Sequence, residues 1–529
     1  MKSLMKRVFA AAAAIATVFG LAATTVATAN AADNATLTVS TTDAKFAGKT
    51  VNAYKMFSAT VSGDGKAVSY TLTDEWKPFF ENSVGLTDVT DANVNDKANE
   101  YVSKLTGKEK DLSAFAAKAS NWAQTNNITA DATATVSKNA ATDGKYTATF
   151  TNLDYGYYVV AVPGATVADT NSQYAALVRV HSTSVDAEIK GALPTVDKKV
   201  QVNGTGKDAT DAKIGDTLTF TLTSTIPDMS AYSTYTFNFK DTLSKGLTFG
   251  QVTSVKVENV TLTENTDYTV TTPTASNNNT LTVAMKDFKT KQQANAGKKI
   301  TVTYTATLNE NAVVGGAGNV NSAKIQYSNN PSTNGTGESE PSKVRVFTYG
   351  FTVDKYTGDQ YTDAATRLAG AEFTLAHKDG SAISFVQVSA GSATANAVYR
   401  VAKAGETGTT TITTPANGKV VFEGLENGEY TLTETKAPAG YNKLASAIGV
   451  KVDGQNNGTD TTNATVTITY NNDNGNDYNQ TASNGVIPVQ NKSGAILPGT
   501  GGMGTIAFTV IGVLVIALGV AWTLKRKNA

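Results

Sequence analysis

The pattern of apolar and polar positions predicts a protein that is mostly β. Short runs alternate apolar and polar residues and are separated by Gly, Asn, Asp and Pro, which is typical of half-buried strands joined by turns. Two stretches, residues 191–194 and 328–342, are polar or contain Pro and precede new strand patterns. They divide the chain into three tandem immunoglobulin-like β-sandwich domains, predicted at residues 32–193, 194–345 and 346–496.

One segment of the first domain departs from this alternation. Between Lys110 and Gln124 the apolar residues recur at helical spacing, which predicts a helical insertion. The residues on this apolar face are Leu112, Phe115, Ala116, Ala119 and Trp122. We interpret the face as part of the core rather than as a binding surface.

The two ends of the chain indicate export and anchoring. Residues 1–31 combine a basic start, an apolar run and small residues, the pattern of a secretory signal peptide. Residues 505–524 are apolar and free of charge, long enough for a transmembrane helix, and the basic residues 525–527 follow them. Since the tail is basic, we expect it on the cytoplasmic side.

A pentapeptide precedes this apolar span. It consists of Leu497, Pro498, Gly499, Thr500 and Gly501. Pentapeptide, span and basic tail, residues 497–529, together resemble the cell-wall sorting signal of Gram-positive surface proteins. The resemblance implies that a sortase cysteine cuts between Thr500 and Gly501 and passes the Thr500 carbonyl to an amine.

Composition excludes several other classes of protein. The chain has 45 basic and 45 acidic residues, two histidines and no cysteine, which argues against nucleic-acid binding and excludes disulfides and thiolate chemistry. Neither a catalytic triad nor a nucleotide-binding or metal-ligand motif is apparent in the sequence. We therefore expect no enzyme, no cofactor and no metal, and an exported chain that needs another kind of crosslink.

An internal repeat points to a buried acid in the third domain. Phe150, Leu153, Gly156 and Tyr158 have the same spacing as Phe422, Leu425, Gly428 and Tyr430. Four residues further on, the first copy has Val162 and the second has Glu434. A position that is apolar in one copy and acidic in the other is expected to point into the core in both.

Alternation places two more polar side chains inside the third domain. Lys355 is in phase with apolar residues on the first strand, and Asn491 is in phase with Ile487 and Val489 on the last. An inward Lys, Glu and Asn fit a buried salt bridge beside a satisfied amide, and they equally fit a reactive cluster.

A resemblance bears on that choice. The segments FTVDKYTGD, LAGAEFTL, GEYTLTETKAPAGY and VIPVQNK are similar to the Lys, E-box and Asn segments of Cna B-type domains of Gram-positive pilins and adhesins. In that family the Lys amine attacks the Asn amide, ammonia leaves, and an isopeptide bond joins the first and last strands. The resemblance implies a bond from Lys355 to Asn491 with Glu434 as catalyst.

The middle domain repeats this logic with an Asp. Alternation places Lys198, Asp241 and Asn321 on inward faces, in that chain order. The segments PTVDKKV, KDTLSKGLTF and NVNSAKIQYSN resemble the middle domain of pilin backbone subunits, which implies a bond from Lys198 to Asn321 with Asp241 as catalyst. Asn319 is in phase with Asn321 and stays a competitor, and a bulge would put Lys199 in the place of Lys198. The first domain has Val162 in place of the acid, so the repeat predicts no bond of the Glu434 type there, although an acid on another strand would permit one.

The exported chain as a whole resembles the major, or backbone, subunit of a sortase-assembled fimbria. The resemblance implies that identical subunits are joined head to tail, Thr500 to a Lys of the next subunit, and Lys190 lies where that acceptor is expected. It lacks the Tyr-Pro context common in the family, so an ordinary linker lysine is the alternative. Further implied partners are the pilin-specific and housekeeping sortases, minor pilins, peptidoglycan, and a host glycan or matrix protein. The competing hypotheses are a monomeric wall-anchored adhesin and an enzyme displayed on the wall.

Overall fold

The computed structural model describes residues 34–62, 68–105, 109–141, 143–165, 175–189, 191, 193–329, 331, 334–363, 365–455, 458, 464–472 and 477–493. The predicted signal peptide, Lys190, the 497–501 pentapeptide and the 505–524 span lie outside these residues. Of the helices in the described ranges, none is long and apolar enough to cross a membrane.

The first group of elements combines strands with helices. The strands are β1 (Ala35–Thr41), β2 (Thr50–Val61), β3 (Val68–Leu72), β4 (Ala132–Thr135), β5 (Tyr146–Leu153), β6 (Gly156–Ala161), β7 (Ala175–Val180) and β8 (Ser184–Glu188). The helices are α1 (Lys77–Asn82), α2 (Val94–Leu105) and α3 (Glu109–Thr125). One sheet has the order β5-β1-β8, and the other has the order β3-β2-β6-β7 with β4 added to β2.

The helices cover the outer face of the second of these sheets. The inner face of this second sheet packs against the first sheet in one apolar cluster. The outer face contributes Phe57 to a separate cluster with Trp76, Phe79 and Phe115. Because both faces are covered, β6 is nearly all apolar instead of alternating. The predicted helix is confirmed as α3, and its Phe115 and Ala119 lie in the core. Helices α1 and α2 were not predicted.

The described residues of the second group form thirteen strands and one short α-helix. The strands are β9 (Asp197–Val202), β10 (Thr205–Lys207), β11 (Ala209–Asp211), β12 (Thr217–Thr225), β13 (Phe237–Leu243), β14 (Leu247–Val257), β15 (Val260–Thr261), β16 (Tyr268–Thr271), β17 (Thr280–Met285), β18 (Lys299–Leu308), β19 (Asn319–Ser328), β20 (Thr336–Glu338) and β21 (Ser342–Phe347), and the helix is α4 (Phe288–Gln292). They form one sheet of order β10-β9-β12-β18-β14-β15 and one of order β11-β21-β19-β13-β17-β16, with β20 on β19. Strands β13 and β18 alternate buried and half-buried residues, as period-two patterning requires.

The third group consists of strands and short turns. The strands are β22 (Tyr349–Thr357), β23 (Thr366–Arg367), β24 (Glu372–His377), β25 (Phe385–Ser389), β26 (Ala397–Val401), β27 (Ile412–Thr413), β28 (Lys419–Leu425), β29 (Gly428–Lys436), β30 (Ile448–Gln455), β31 (Thr465–Tyr470), β32 (Gln480–Thr481) and β33 (Val486–Gln490). One sheet has the order β23-β22-β28-β26-β25 with β33 on β22, and the other has the order β27-β24-β29-β30-β31-β32. The mainly β prediction is confirmed, and the described strands form three successive groups of two sheets each. The second group of strands runs to Phe347, which pairs in β21 beyond the predicted boundary at 345.

The internal repeat marks the same corner in the first and third groups. In each copy the chain leaves one sheet, β5 or β28, and enters the facing one, β6 or β29. The repeated tyrosines close this corner, since the Tyr158 hydroxyl donates to the Asp154 carbonyl (2.9 Å) and the Tyr430 hydroxyl to the Glu426 carbonyl (2.7 Å). Each ring is buried and anchors the turn four residues upstream.

The second and third groups are joined by polar contacts. Asn427 donates its backbone N–H to Asp211 Oδ2 (2.7 Å) and its Nδ2 to Asp211 Oδ1 (3.1 Å). The Gly454 N–H in turn donates to Asn427 Oδ1 (2.6 Å). A side chain at the β28–β29 turn is therefore held by both groups.

Candidate functional site

The third group contains a buried cluster of one lysine, one acid and one asparagine. Lys355 lies on β22, and Asn491 directly follows β33, which runs parallel to β22 with Lys355 opposite Val489. Glu434 lies on β29 in the facing sheet. The three residues are at most 2% exposed. Alternation had placed all three inward, and the fold brings them together.

Glu434 contacts both other members of this cluster. Lys355 Nζ lies 3.1 Å from Glu434 Oε1 as an ion pair. Glu434 Oε2 accepts from Asn491 Nδ2 (3.0 Å) and from the Leu444 N–H (2.8 Å). Asn491 Nδ2 also donates to the Asn442 carbonyl (2.8 Å). The acid therefore bridges the amine and the amide.

The amide of Asn491 is only half satisfied. Its Oδ1 is buried and has no hydrogen-bond partner among the described residues. Leaving such an atom unpaired costs about 1–3 kcal/mol. The arrangement therefore differs from a purely structural salt bridge beside a satisfied amide.

Burial shifts Lys355 toward the reactive form of an amine. Desolvation outweighs the attraction of Glu434 and lowers the pKa of Lys355 to about 8. The Phe373 ring, 5.7 Å from Nζ, is part of this apolar surrounding. A lysine with this pKa reaches the neutral, nucleophilic state far more readily than an exposed one.

The second group contains a similar cluster built from both of its sheets. Lys198 on β9 and Tyr304 on β18 belong to one sheet, and Asp241 on β13 and Asn321 on β19 belong to the other. All four residues are 0% exposed. Strands β20 and β21 follow β19, so the asparagine of this cluster does not lie on the last strand of its group.

Tyr304 is the centre of this second cluster. Its hydroxyl donates to Asp241 Oδ2 (2.6 Å) and accepts from Lys198 Nζ (2.9 Å) and Asn321 Nδ2 (2.6 Å). Lys198 Nζ also donates to Asp241 Oδ2. Asp241 Oδ1 and Asn321 Oδ1 are buried without a hydrogen-bond partner in the described ranges.

The pKa shifts of this cluster follow from its burial. Desolvation lowers the pKa of Lys198 to about 8, although Asp241 opposes the shift. Its Nζ lies 5.1 Å from the ring centroids of Phe220 and Tyr304. Burial, reinforced by Asp241, raises the pKa of Tyr304 well above its ordinary value, so this hydroxyl keeps its proton.

The structure separates the alternatives that alternation left open. Asn319 is also buried, but its amide is bound to backbone groups of Val313 and Val346. Lys199 points to the opposite face, where its Nζ contacts Asp208 at 2.5 Å. Lys198 and Asn321 are therefore the residues that share the Tyr304 hydroxyl with Asp241.

Sequence reasoning missed Tyr304. It lies on β18 in phase with apolar residues, where an aromatic side chain is expected to be part of the core. Its hydroxyl group was the one feature of the sequence that could have indicated a further role.

No lysine is among the buried polar residues within the described ranges of the first domain. The same ranges across the chain hold no group of three or more His, Cys, Asp or Glu side chains arranged for a metal.

Two segments of the chain match known families of domains. Residues 214–331 match the family described as Gram-positive pilin backbone subunit 2, Cna-B-like domain. Residues 359–467 match SpaA, a prealbumin-like fold domain. The first match includes Asp241, Tyr304 and Asn321, and the second includes Glu434, whereas both lysines lie upstream of the matched residues.

Similar proteins are pilins of Gram-positive bacteria. The trypsin-resistant surface T6 protein of Streptococcus pyogenes serotype M6 is 25% identical over 277 residues, which cover 48% of this chain and 44% of the relative. The match thus spans less than half of that relative. The solved T6 backbone pilin of the same serotype is 18% identical with a TM-score of 0.46, covering 88% of this chain and 99% of the pilin. The solved major pilin SpaD of Corynebacterium diphtheriae is 19% identical with a TM-score of 0.39, and the match covers 87% of this chain and 98% of SpaD.

Proposed function

We propose that this chain is the structural backbone subunit of a covalently polymerised fimbria on the wall of a Gram-positive bacterium. The observation that carries the proposal is the pair of buried Lys, acid and Asn clusters, each at the core of a pilin-type domain. Internal bonds in such domains would resist tension along a filament. The only chemistry of the chain itself is then a single self-crosslinking turnover in each domain.

The reaction in the third domain joins Lys355 to Asn491. The lysine proton passes to Glu434, and the neutral Nζ attacks Cγ of Asn491. The new C–N bond forms as the C–Nδ2 bond breaks. Nδ2 takes the proton from Glu434 and leaves as ammonia, and Glu434 takes the second proton from Nζ, which is left as an amide N–H. The 3.0 Å contact between Glu434 Oε2 and Asn491 Nδ2 supports this role of the acid. The corresponding bond of the second domain joins Lys198 to Asn321, with Asp241 as the acid.

Polymerisation and anchoring are proposed from the sequence motifs. A sortase breaks the Thr500–Gly501 peptide bond, holds the Thr500 carbonyl as a thioester and transfers it to an amine. With Lys190 of the next subunit as the acceptor, the product is a head-to-tail filament whose interface does not close. With an amine of peptidoglycan as the acceptor, the filament is anchored to the wall. Minor pilins and a host glycan or matrix protein complete the proposed partners.

Electrophoresis of the wall fraction tests the polymer. After muramidase digestion, denaturing gels are expected to show a high-mass ladder that a Lys190→Ala chain loses. The matched control is Lys245→Ala, which removes an exposed lysine of the second domain and keeps the ladder. A single monomer band from the unmodified chain would instead support the monomeric adhesin.

A further inference from the structure

The hydroxyl of Tyr304 lies between the acid and the amide of the second domain. It donates to Asp241 Oδ2 (2.6 Å) and accepts from Asn321 Nδ2 (2.6 Å). In the third domain no such group intervenes, because Glu434 Oε2 accepts directly from Asn491 Nδ2 (3.0 Å). The two domains therefore connect acid and amide in different ways.

Strand register explains this difference. On the antiparallel pair β13 and β19, Asp241 lies opposite Ala323 and Asn321 lies opposite Leu243. Acid and amide are thus diagonal neighbours, whose Cα atoms are about 7–8 Å apart. Aspartate is also one methylene shorter than glutamate. Tyr304 reaches the gap from β18 of the facing sheet.

We propose that Tyr304 is a catalytic residue of the second domain, which relays protons between Asp241 and the leaving nitrogen of Asn321. The inference rests on the isopeptide chemistry proposed above and deepens it. Tyr304 touches both reacting side chains, since its Oη also accepts from Lys198 Nζ at 2.9 Å. A hydroxyl can accept and donate at once, which a relay requires.

The proton transfers balance as follows. Lys198 gives one proton to Asp241 and attacks Cγ of Asn321, which makes a tetrahedral adduct with a negative oxygen and a positive Nζ. Tyr304 passes its proton to Nδ2 and takes the proton of Asp241. Asp241 then removes a proton from Nζ, the carbonyl reforms, and ammonia leaves. The ammonia finally takes the proton that Asp241 holds, so that the cluster ends with an amide, an ionised Asp241 and an intact Tyr304.

The surroundings of Tyr304 suit this role. The four side chains are 0% exposed, so the relay runs between protein groups shielded from bulk solvent. The stacked Phe220 ring, with its centroid 5.3 Å from that of Tyr304, holds the phenol in place. Because burial and Asp241 raise the pKa of Tyr304, the hydroxyl keeps the proton that it must deliver.

Timed synthesis of the full chain tests the proposal. The chain is made in a cell-free system with detergent, samples are quenched in denaturant, and peptide mapping follows both bonds over time. In Tyr304→Phe we expect the Lys198–Asn321 bond to form about 10²-fold or more slowly. The Lys355–Asn491 bond of the same molecules should form at the wild-type rate. That second bond reports that the chain has folded.

Two further variants separate a relay from simple packing. Tyr327→Phe is the control, because Tyr327 is another buried tyrosine, on β19, and it should leave the rate unchanged. Asp241→Glu in the Tyr304→Phe background should recover much of the rate, because the longer acid reaches Asn321 directly. A wild-type rate in Tyr304→Phe, or an equal loss in Tyr327→Phe, would overturn the relay. If the unmodified chain forms neither bond, the proposed crosslinking itself fails.

Discussion

Glu434 and Asn491 are in direct contact in the core of the third domain, with Oε2 and Nδ2 3.0 Å apart, although they come from facing sheets. The contact places the Glu434 carboxyl group against the nitrogen that must leave if Lys355 attacks the amide. Asp241 and Asn321 lack this direct contact and share the Tyr304 hydroxyl instead. Two domains of one chain thus present two geometries for the same proposed reaction.

Replacing Glu434 with glutamine should abolish the bond of the third domain. Glutamine keeps the shape of the side chain but cannot carry the proton, and general acid–base catalysis of this kind contributes about 10²–10⁴-fold in rate. Intact mass spectrometry should find the unmodified chain lighter by two ammonia molecules and Glu434→Gln lighter by one. Glu429→Gln, an exposed acid on the same strand, is the control and should lose two. A Glu434→Gln chain that also loses two would refute the role of Glu434.

Removing Asn491 should lower the stability of the third domain. Without the bond, the unfolded chain regains the entropy of a loop that runs from Lys355 to Asn491. For a loop of about 100 residues this amounts to about 4–5 kcal/mol. Chemical denaturation of Asn491→Ala should show a decrease of that size in the free energy of unfolding. Asn442→Ala, which removes an exposed amide beside the cluster, should change it little; equal losses in both variants would show that no crosslink was present.

The stability of the Asn491→Ala chain should depend on pH in a defined way. Lys355 stays a free amine there, and burial lowers its folded pKa to about 8 from the ordinary 10.5. Between these values the unfolded chain binds more protons, so the free energy of unfolding rises with pH by up to about 1.4 kcal/mol per unit. Below about pH 8 this gain is absent, because the amine is protonated in both states.

Comparison with two other chains isolates this effect. In the unmodified chain the proposed bond would make Lys355 an amide, which contributes no slope. A Lys355→Met/Asn491→Ala chain likewise lacks the amine. Denaturation across the interval from about pH 8 to 10.5 should therefore reveal the rise in Asn491→Ala alone. A rise of equal size in the Lys355→Met/Asn491→Ala chain would assign it to other groups.

The contact between Asp211 and Asn427 should couple the second and third domains. Asp211→Ala removes the carboxylate that accepts two hydrogen bonds from Asn427. Hydrogen bonds to a charged group contribute about 1.5–3 kcal/mol each. We expect the thermal transitions of the two domains to separate in this variant. A double-mutant cycle with Asn427→Ala measures the coupling, and Asp453→Ala, at a half-exposed carboxylate near the same turn, is the control. Strictly additive effects in the cycle would show that the contact carries no coupling.

The sequence alone determined which face of each strand is buried. The pleat has a period of two, so Lys198 and Lys199 point to opposite sides, and the apolar neighbours favoured Lys198 as the inward one in the absence of a bulge. The repeat likewise predicted a buried Glu434, since Val162 holds the same position in the other copy. Helix α3 was predictable from its long apolar face. Helices α1 and α2 were missed because no apolar face was identified for either.

Only the tertiary structure decided which buried polar groups meet. Asn319 and Asn321 share one face of β19, and no local pattern separates them. Backbone groups of Val313 and Val346 occupy the amide of Asn319 and leave Asn321 to face Tyr304. Tyr304 itself arrives from the facing sheet, far away in sequence. Periodicity along a strand records burial, whereas the contacts across a core depend on register and sheet packing, which bring distant segments together.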